Sequence, residues 1–255
     1  MSTDPATVGA GSAWPDGYDR LLLEETDSTM AEARRRAPDL AGPAWILARH
    51  QTAGHGRRGR AWQHPPGNFA ATLVLPHAGD PAQAALRSFT TALALHDAFV
   101  ARCGTRGQFA LKWPNDVLLN GGKVAGILLE SLPGGALSIG IGVNLSQAPT
   151  AELVEPGATP PVCLAQECDT LVPPQAFLRT LAPAFARWED QFTTYGFGPI
   201  RTAWLQRAAR MGEAVTARLP NTELTGRFLG IDDAGHMILQ TSAGPRDIAA
   251  ADLFF

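Results

Sequence analysis

Residues 112–130 read Lys-Trp-Pro-Asn-Asp-Val-Leu-Leu-Asn-Gly-Gly-Lys-Val-Ala-Gly-Ile-Leu-Leu-Glu. The Asn-Gly-Gly segment between two apolar runs is typical of the tight turn of a β-hairpin. The sequence therefore predicts two paired strands, at 116–119 and 123–130. Pro114 restricts the backbone just before the first strand, where Asn-Asp is typical of a turn. The hairpin puts a β-sheet near the middle of the chain, and the other elements are assigned around it.

A lysine begins the second predicted strand. On a regular strand alternate residues share one face, here Lys123, Ala125, Ile127 and Leu129. A charged amine beside core positions needs a partner, because burying an unpaired charge is costly. Asp116 can orient that lysine, or it can help to bind Mg²⁺ on nucleotide phosphates. The alternative is a strand-end lysine that reaches solvent.

A second motif, at 51–62, reads Gln-Thr-Ala-Gly-His-Gly-Arg-Arg-Gly-Arg-Ala-Trp. Its glycines allow backbone amides to approach a ligand closely and to form an anion-binding nest. Its three arginines carry planar charged groups that suit phosphate and carboxylate. Trp62 adds a flat face for a ring or a cation. We interpret this stretch as a loop that captures a nucleotide phosphate and an organic anion.

The alternative interpretation of the arginine-rich stretch is a disordered arm that binds RNA through charge. The flanking sequence argues against it. Apolar runs of buried-strand length lie on both sides, at 45–48 and 69–75. The loop is therefore predicted to connect two core strands.

The remaining pattern predicts an α+β protein. Residues 21–24 form a first strand, and a helix begins at Asp27-Ser28-Thr29, where Thr29 and Glu32 have capping-box spacing. Further helices are predicted at 81–102, from 173 onwards and at 200–210, with a strand at 137–145. Four short strands then follow: 214–219, 224–231, 236–239 and 247–253. Short strands so close together indicate a small β-barrel.

Composition excludes several classes of protein. The chain has 255 residues, a formal net charge of −3 and a pI near 6.1, so it is not a generally basic nucleic-acid binder. The N-terminus lacks signal-peptide features, and no apolar run approaches membrane-spanning length. The odd set Cys103, Cys163 and Cys168 lacks metal-ligand spacing and favours reduced thiols in a cytoplasmic protein.

Three blocks, in this order and spacing, resemble the biotin–protein ligases. They are Asp27-Ser28-Thr29, the Gly54–Arg60 loop with Trp62, and the Lys112–Asp116 block leading to 122–130. The resemblance, supported by Gly140 to Asn144, extends over nearly the whole chain from Leu21. It implies a class II synthetase-like core, a mixed β-sheet with flanking helices, plus a small C-terminal β-barrel. We divide the chain into a flexible lead-in (1–19), a catalytic domain (20–210) and the barrel (211–255).

The resemblance implies an enzyme that joins biotin to ATP as biotinyl-5′-AMP, with Mg²⁺. The enzyme then transfers biotin to one lysine of the biotin carboxyl carrier domain of a carboxylase. The implied catalytic residues are Lys123, Arg57 and Arg60. The implied biotin-binding residues are Ser28, Thr29, Gln51, Gly54, His55, Arg57, Lys123, Gly126 and Gly142. The implied nucleotide-binding residues are Arg58, Arg60, Trp62, Lys112, Asn115 and Asn144, with Asp116 as the candidate Mg²⁺ ligand.

Two positions depart from the family pattern, which usually has Asn at Met30 and Arg at His55. The change at Met30 removes a polar group near the biotin end of the site and bears on affinity. A lipoate or octanoate ligase or transferase on the same scaffold is the alternative function, although those relatives lack the 112–116 block. The resemblance implies no DNA-binding domain and no membrane association, and it leaves monomer and homodimer open.

Overall fold

The computed structural model describes residues 13–150 and 157–255, so the first twelve residues of the predicted lead-in lie outside the described part. Seven strands form one mixed sheet, which confirms the α+β class. Their bounds are β1 Asp19–Thr26, β2 Ala44–Gln51, β3 Phe69–Leu75, β4 Phe109–Lys112, β5 Asp116–Leu119, β6 Gly122–Ser131 and β7 Leu137–Val143. The spatial order is β1-β2-β3-β7-β6-β5-β4, and the β1–β2 pair is parallel whereas the other pairs are antiparallel.

Five α-helices accompany the sheet in the described ranges: α1 Thr29–Arg36, α2 Pro81–Cys103, α3 Leu164–Cys168, α4 Pro174–Tyr195 and α5 Phe197–Leu205. Helices α2 and α4 pack against one face of the sheet, where Trp45 of β2 meets Phe185 of α4 edge to face. Phe69 of β3 meets Phe177 in the same way. The opposite face carries α1 and leaves room beside it for a cavity.

The helix α1 begins differently from the prediction. Ser28 is the N-cap, and its hydroxyl accepts a hydrogen bond from the amide of Ala31 at 3.0 Å. Glu32 is one position too far along the helix for a capping box and instead pairs with Arg35 and Arg36. The predicted Thr29–Glu32 capping box is therefore wrong, and Thr29 is left available for other contacts.

The predicted face of β6 is also wrong. Val117 pairs with Ala125, but the next residue of β5, Leu118, pairs with Lys123. Val124 is therefore an extra residue, a β-bulge, and a bulge reverses the side on which the following side chains lie. Lys123 consequently lies on the cavity face near Gly126, whereas Ala125 and Ile127 are in the core.

The C-terminal module is a five-stranded antiparallel sheet of order β11-β10-β9-β8-β12. Its strands are β8 Ala214–Arg218, β9 Glu223–Ile231, β10 Met237–Thr241, β11 Gly244–Ile248 and β12 Asp252–Phe254. The stretch predicted as one strand at 247–253 is divided between β11 and β12. The indole of Trp113 donates a hydrogen bond to the carbonyl of Gly235 at 3.0 Å, which ties the hairpin block to this module. In the described ranges, no helix has both the length and the apolar character needed to cross a membrane.

Candidate active site

Small residues on three neighbouring strands form the floor of a cavity of about 260 Å³. Ala70 of β3 pairs with Gly142 of β7, which pairs with Gly126 of β6. Their lack of bulk leaves a trough across the sheet face. The walls are the start of α1, the loop that follows β2, the block before β5 and the start of β12.

Trp62 lies over this floor. A β-carbon added to Gly142 would be 2.3 Å from Cε2 of the indole, and one added to Gly126 would be 3.4 Å from Cζ3. The Lys123 ammonium is 5.8 Å from the centre of the same ring, within the range of a cation–π contact. The glycine at 142 is therefore required by the close approach of a side chain.

One wall is a hydrogen-bonded group at the start of α1. The Gln51 side-chain oxygen accepts from the Thr29 amide at 2.7 Å and from the Thr29 hydroxyl at 3.1 Å. Thr72 donates to the Thr29 hydroxyl at 2.8 Å. Ser28 and Thr29 are buried, so this wall offers oriented polar groups whose hydrogen bonds are strengthened by the low local dielectric. Met30, the departure noted above, is buried beside them and lines the cavity.

The arginine loop, defined here as Gly54–Trp62, is closed by its own backbone. The Trp62 amide donates to the Gly54 carbonyl at 2.9 Å, and the Gly56 amide donates to the Arg60 carbonyl at 2.8 Å. Between them the chain makes a tight turn in which Arg58 and Gly59 have positive φ values of 57° and 70°. This turn directs three guanidinium groups towards the cavity rim and β12.

Lys123 and Asp116 form an ion pair at 2.8 Å in the cavity wall. The aspartate therefore orients the lysine, as one of the two sequence hypotheses expected. Lys112 lies close by and donates to the Thr159 hydroxyl at 2.6 Å. Burial lowers the pKa of the Lys112 amine below its ordinary value; Asp116 opposes the shift and Lys123 adds to it.

Two asparagines link the strands to the cavity. Asn115 accepts from Arg57 at 3.2 Å and donates to the Ile127 carbonyl at 2.6 Å, so it connects the arginine loop to β6. Asn144 donates to the Val162 carbonyl at 3.1 Å. Its side-chain oxygen is buried and has no hydrogen-bond partner among the described residues. An oxygen in that position can accept a hydrogen bond from a ligand.

The loop is also held at its first turn. The His55 ring lies 3.3 Å from a carboxylate oxygen of Glu130, and Arg34 of α1 pairs with the same carboxylate at 3.2 Å. Through Glu130 of β6, His55 thus connects the arginine loop to Arg34 of α1.

The structure brings most of the predicted site residues to one cavity. Those that line it are Ser28, Thr29, Gln51, His55, Arg57, Arg60, Trp62, Lys112, Asn115, Asp116, Lys123, Gly126, Gly142 and Asn144. Gly54 and Arg58 do not line it; Gly54 closes the loop and Arg58 turns towards β12. In the described ranges, no group of three His, Cys, Asp or Glu side chains could hold a metal ion.

Sequence reasoning missed the contribution of the C-terminal module. Asp252, Leu253 and Phe254 of β12 line the cavity, together with Thr159 from the segment before α3. No motif marks Asp252, which lies almost 200 residues after the loop that it contacts. Its role depends on the packing of the two sheets, which local sequence patterns do not encode.

Two family models match the chain. Residues 22–145 match the biotin/lipoate A/B protein ligase family, and residues 211–255 match the biotin protein ligase C-terminal domain. A biotin–[acetyl-CoA-carboxylase] ligase of Paracoccus denitrificans is 58% identical over 92% of this chain and 99% of its own length. One of Mycobacterium tuberculosis is 32% identical over 96% of this chain and 91% of its own length.

Solved structures show the same fold. The biotin protein ligase from Aquifex aeolicus in complex with biotin and ATP has a TM-score of 0.81 at 23% identity. The match covers 92% of this chain and 97% of that one.

Proposed function

Because the chain belongs to the biotin–protein ligase family, we propose that its cavity is the place where biotin and ATP react. The chain is an ATP-dependent biotin–[acetyl-CoA-carboxylase] ligase, which forms biotinyl-5′-AMP and passes biotin to a carrier protein. The 58% identity with the Paracoccus denitrificans enzyme over almost its full length carries this conclusion. The roles of individual residues below are inferred from their positions around the cavity.

In the first step a carboxylate oxygen of biotin attacks the α-phosphorus of ATP. A mixed anhydride forms, the bond between the α-phosphorus and the bridging oxygen breaks, and pyrophosphate leaves. Two anions must come together, so cations placed around the developing charge lower the barrier. Lys123, Arg57 and Arg60 lie at the cavity and supply this charge. The Asp116 ion pair fixes the direction of Lys123 before substrate arrives.

In the second step the amine of the carrier lysine attacks the acyl carbon, AMP leaves, and the amine loses a proton. This step needs no nucleophile from the ligase. The ligase has to hold the adenylate in position and exclude water from the anhydride until the carrier arrives. Trp62, which lies over the cavity floor, is well placed to cover the ligand.

The polar wall at the start of α1 suits the ureido head of biotin. Ser28, Thr29 and Gln51 combine hydroxyl, amide and carbonyl groups in fixed positions, as a small polar ring requires. At the other end, the unpartnered oxygen of Asn144 suits the amino group of adenine. Lys112 and Asn115 also line the cavity and would contact the phosphates.

Asp116 is also the residue best suited to a Mg²⁺ ion. Mg²⁺ in nucleotide sites is held by one or two carboxylates together with substrate phosphates. The Asp116 carboxylate in the cavity wall fits this requirement, although one of its oxygens already pairs with Lys123. The ion would neutralise phosphate charge when bound, and Asp116 would share its carboxylate between the ion and the lysine.

The partner that follows from the family is the biotin carboxyl carrier domain of a carboxylase, and the expected location is the cytoplasm. The family resemblance allows either a monomer or a homodimer. The molar mass in solution, measured with and without biotin and ATP, distinguishes the two.

The function is tested by incubating the chain with ATP, Mg²⁺ and one of biotin, lipoate or octanoate, and by measuring pyrophosphate. Of the three acids, only biotin should support the release of pyrophosphate. When a carrier domain is added, it should become biotinylated at one lysine. Release with lipoate or octanoate in place of biotin would favour the alternative function. No release with any of the three acids would contradict both.

A further inference from the structure

The arginine loop contacts a carboxylate from the distant C-terminal module. Asp252, the first residue of β12, lies 2.7 Å from Arg58 and 2.9 Å from Arg60. Arg57 lies 3.6 Å from the same side chain and donates to the neighbouring Ala251 carbonyl at 3.4 Å. One carboxylate therefore faces all three guanidinium groups of the loop.

This cluster is partly withdrawn from water, since the Asp252 side chain is 14% exposed and that of Arg57 is 27% exposed. Burial opposes ionisation of Asp252, but the hydrogen bond from Arg60 and the charges of the three arginines outweigh it. The net effect holds the Asp252 pKa below its ordinary value. The carboxylate is thus charged at neutral pH and faces three positive groups.

The loop needs such a partner. Three arginines within four residues repel one another, and the tight turn between Gly56 and Arg60 buries little apolar surface to offset the entropy of ordering it. Substrate anions can supply the missing negative charge, but only once they are bound. Before that, Asp252 of β12 supplies a carboxylate that faces all three guanidinium groups.

We propose that Asp252 is a positioning residue for the ligase reaction. It holds the arginine loop at the cavity rim before substrates bind, so that Arg57 and Arg60 meet the phosphate already oriented. The inference rests on the proposed function for its kinetic consequence, but the tether itself requires no substrate. A preorganised loop needs less ordering when ATP binds.

Loss of the Asp252 contact should affect the KM for ATP and kcat differently. Without the tether the ligand must order the loop itself, so the KM for ATP should rise while kcat stays near the wild-type value. Retention of the adenylate should weaken for the same reason. A role limited to stabilising the C-terminal module would instead lower the midpoint of unfolding and leave the KM for ATP unchanged.

The test compares Asp252→Asn with Asp247→Asn, which neutralises an exposed carboxylate on β11 of the same module. Brief trypsin treatment of the ligand-free proteins should cut after Arg57, Arg58 and Arg60 about tenfold faster in Asp252→Asn than in wild type. That ratio corresponds to closure weakened by about 1.4 kcal/mol. The control should match wild type, and Asp252→Glu should restore most of the protection.

Adenylate retention gives a second readout. The chain contains two lysines, Lys112 and Lys123, and both line the cavity, so the ligase offers no other lysine to its own activated product. A lysine-rich bystander protein added with biotin and ATP should therefore report escaped biotinyl-5′-AMP. We expect about tenfold more bystander labelling with Asp252→Asn than with wild type, in line with the weakened closure.

Equal loop cleavage in Asp252→Asn and wild type would overturn the proposal. If Asp252→Asn does not fold, wild type at low and high salt provides the test, because salt weakens an ionic tether. The rate of loop cleavage, divided by the cleavage rate of an unstructured arginine peptide, should then rise with salt. If this ratio does not change with salt, the proposed ionic contact is refuted. Failure of wild type to release pyrophosphate with biotin would refute the proposed function while leaving the ligand-free cleavage result intact.

Discussion

Substitution of Gly142 by alanine tests whether the floor of the cavity is glycine because Trp62 lies on it. The added β-carbon would be 2.3 Å from Cε2, 2.4 Å from Cζ2 and 2.6 Å from Nε1 of the indole. Ordinary carbon contacts begin near 3.4 Å, so the ring must retreat by roughly 1 Å or more. Such overpacking typically costs about 1–3 kcal/mol.

Alanine also stabilises the folded protein, because glycine inside a strand is less favourable than alanine by about 0.5–1 kcal/mol. The clash exceeds this gain, and Gly142→Ala should lower the free energy of unfolding by about 1–2 kcal/mol. Gly126→Ala is the matched control on the adjacent strand. Its β-carbon would meet Lys123 and Trp62 at 3.4 Å, an ordinary contact. Gly126→Ala should therefore keep the stability of wild type or exceed it by up to about 1 kcal/mol.

Urea unfolding followed by circular dichroism measures these changes, and calorimetry measures biotin affinity in the same proteins. In a Trp62→Ala background the penalty of Gly142→Ala should disappear, because the indole is no longer there to clash. A loss of the same size in both backgrounds would show that the penalty comes from the sheet backbone. The assignment of Gly142 to the approach of Trp62 would then be refuted.

Two further predictions concern Gly235 of the C-terminal module and Lys112 of the cavity. Gly235→Ala should destabilise the protein by about 1–3 kcal/mol more than Gly121→Ala in urea unfolding. Both positions have positive φ, but only the alanine at 235 would meet Phe89, at 2.7 Å; equal losses would contradict this. The rate of adenylate formation should fall at alkaline pH, since the Lys112 pKa is lowered and the amine is charged only below it. Lys112→Arg should move that decline to higher pH, and an unchanged profile would exclude Lys112 from phosphate binding.

Local sequence patterns predict the positions of many of the secondary-structure elements correctly. The hairpin, the buried strands around the arginine loop and the long helix α2 each have a strong periodic signal, and each lies within a residue or a few of its predicted position. The predicted helix at 200–210 instead spans Phe197–Leu205, because residues 207–209 pair with Leu111 of β4 and do not continue the helix.

The features that the sequence does not reveal depend on one residue of register or on distant packing. A single extra residue, Val124, turns Lys123 from the core side to the cavity side, and nothing in an apolar run marks where such a bulge occurs. Asp252 reaches the arginine loop only because β12 is placed beside it in the folded chain. Its short side chain sits in an ordinary strand sequence with no motif of its own.

The proposed mechanism has biotin and ATP react beside Lys123. The most direct measurement is the single-turnover rate of biotinyl-5′-AMP formation by wild type, Lys123→Ala and Arg49→Ala. Arg49 is an exposed cation, paired with Glu24 at 3.4 Å, that does not line the cavity. Loss of one donor at a developing charge typically costs about 100-fold or more in rate. We therefore predict a fall of at least ~100-fold for Lys123→Ala and a wild-type rate for Arg49→Ala. A wild-type rate of adenylate formation by folded Lys123→Ala would show that the reaction does not depend on Lys123.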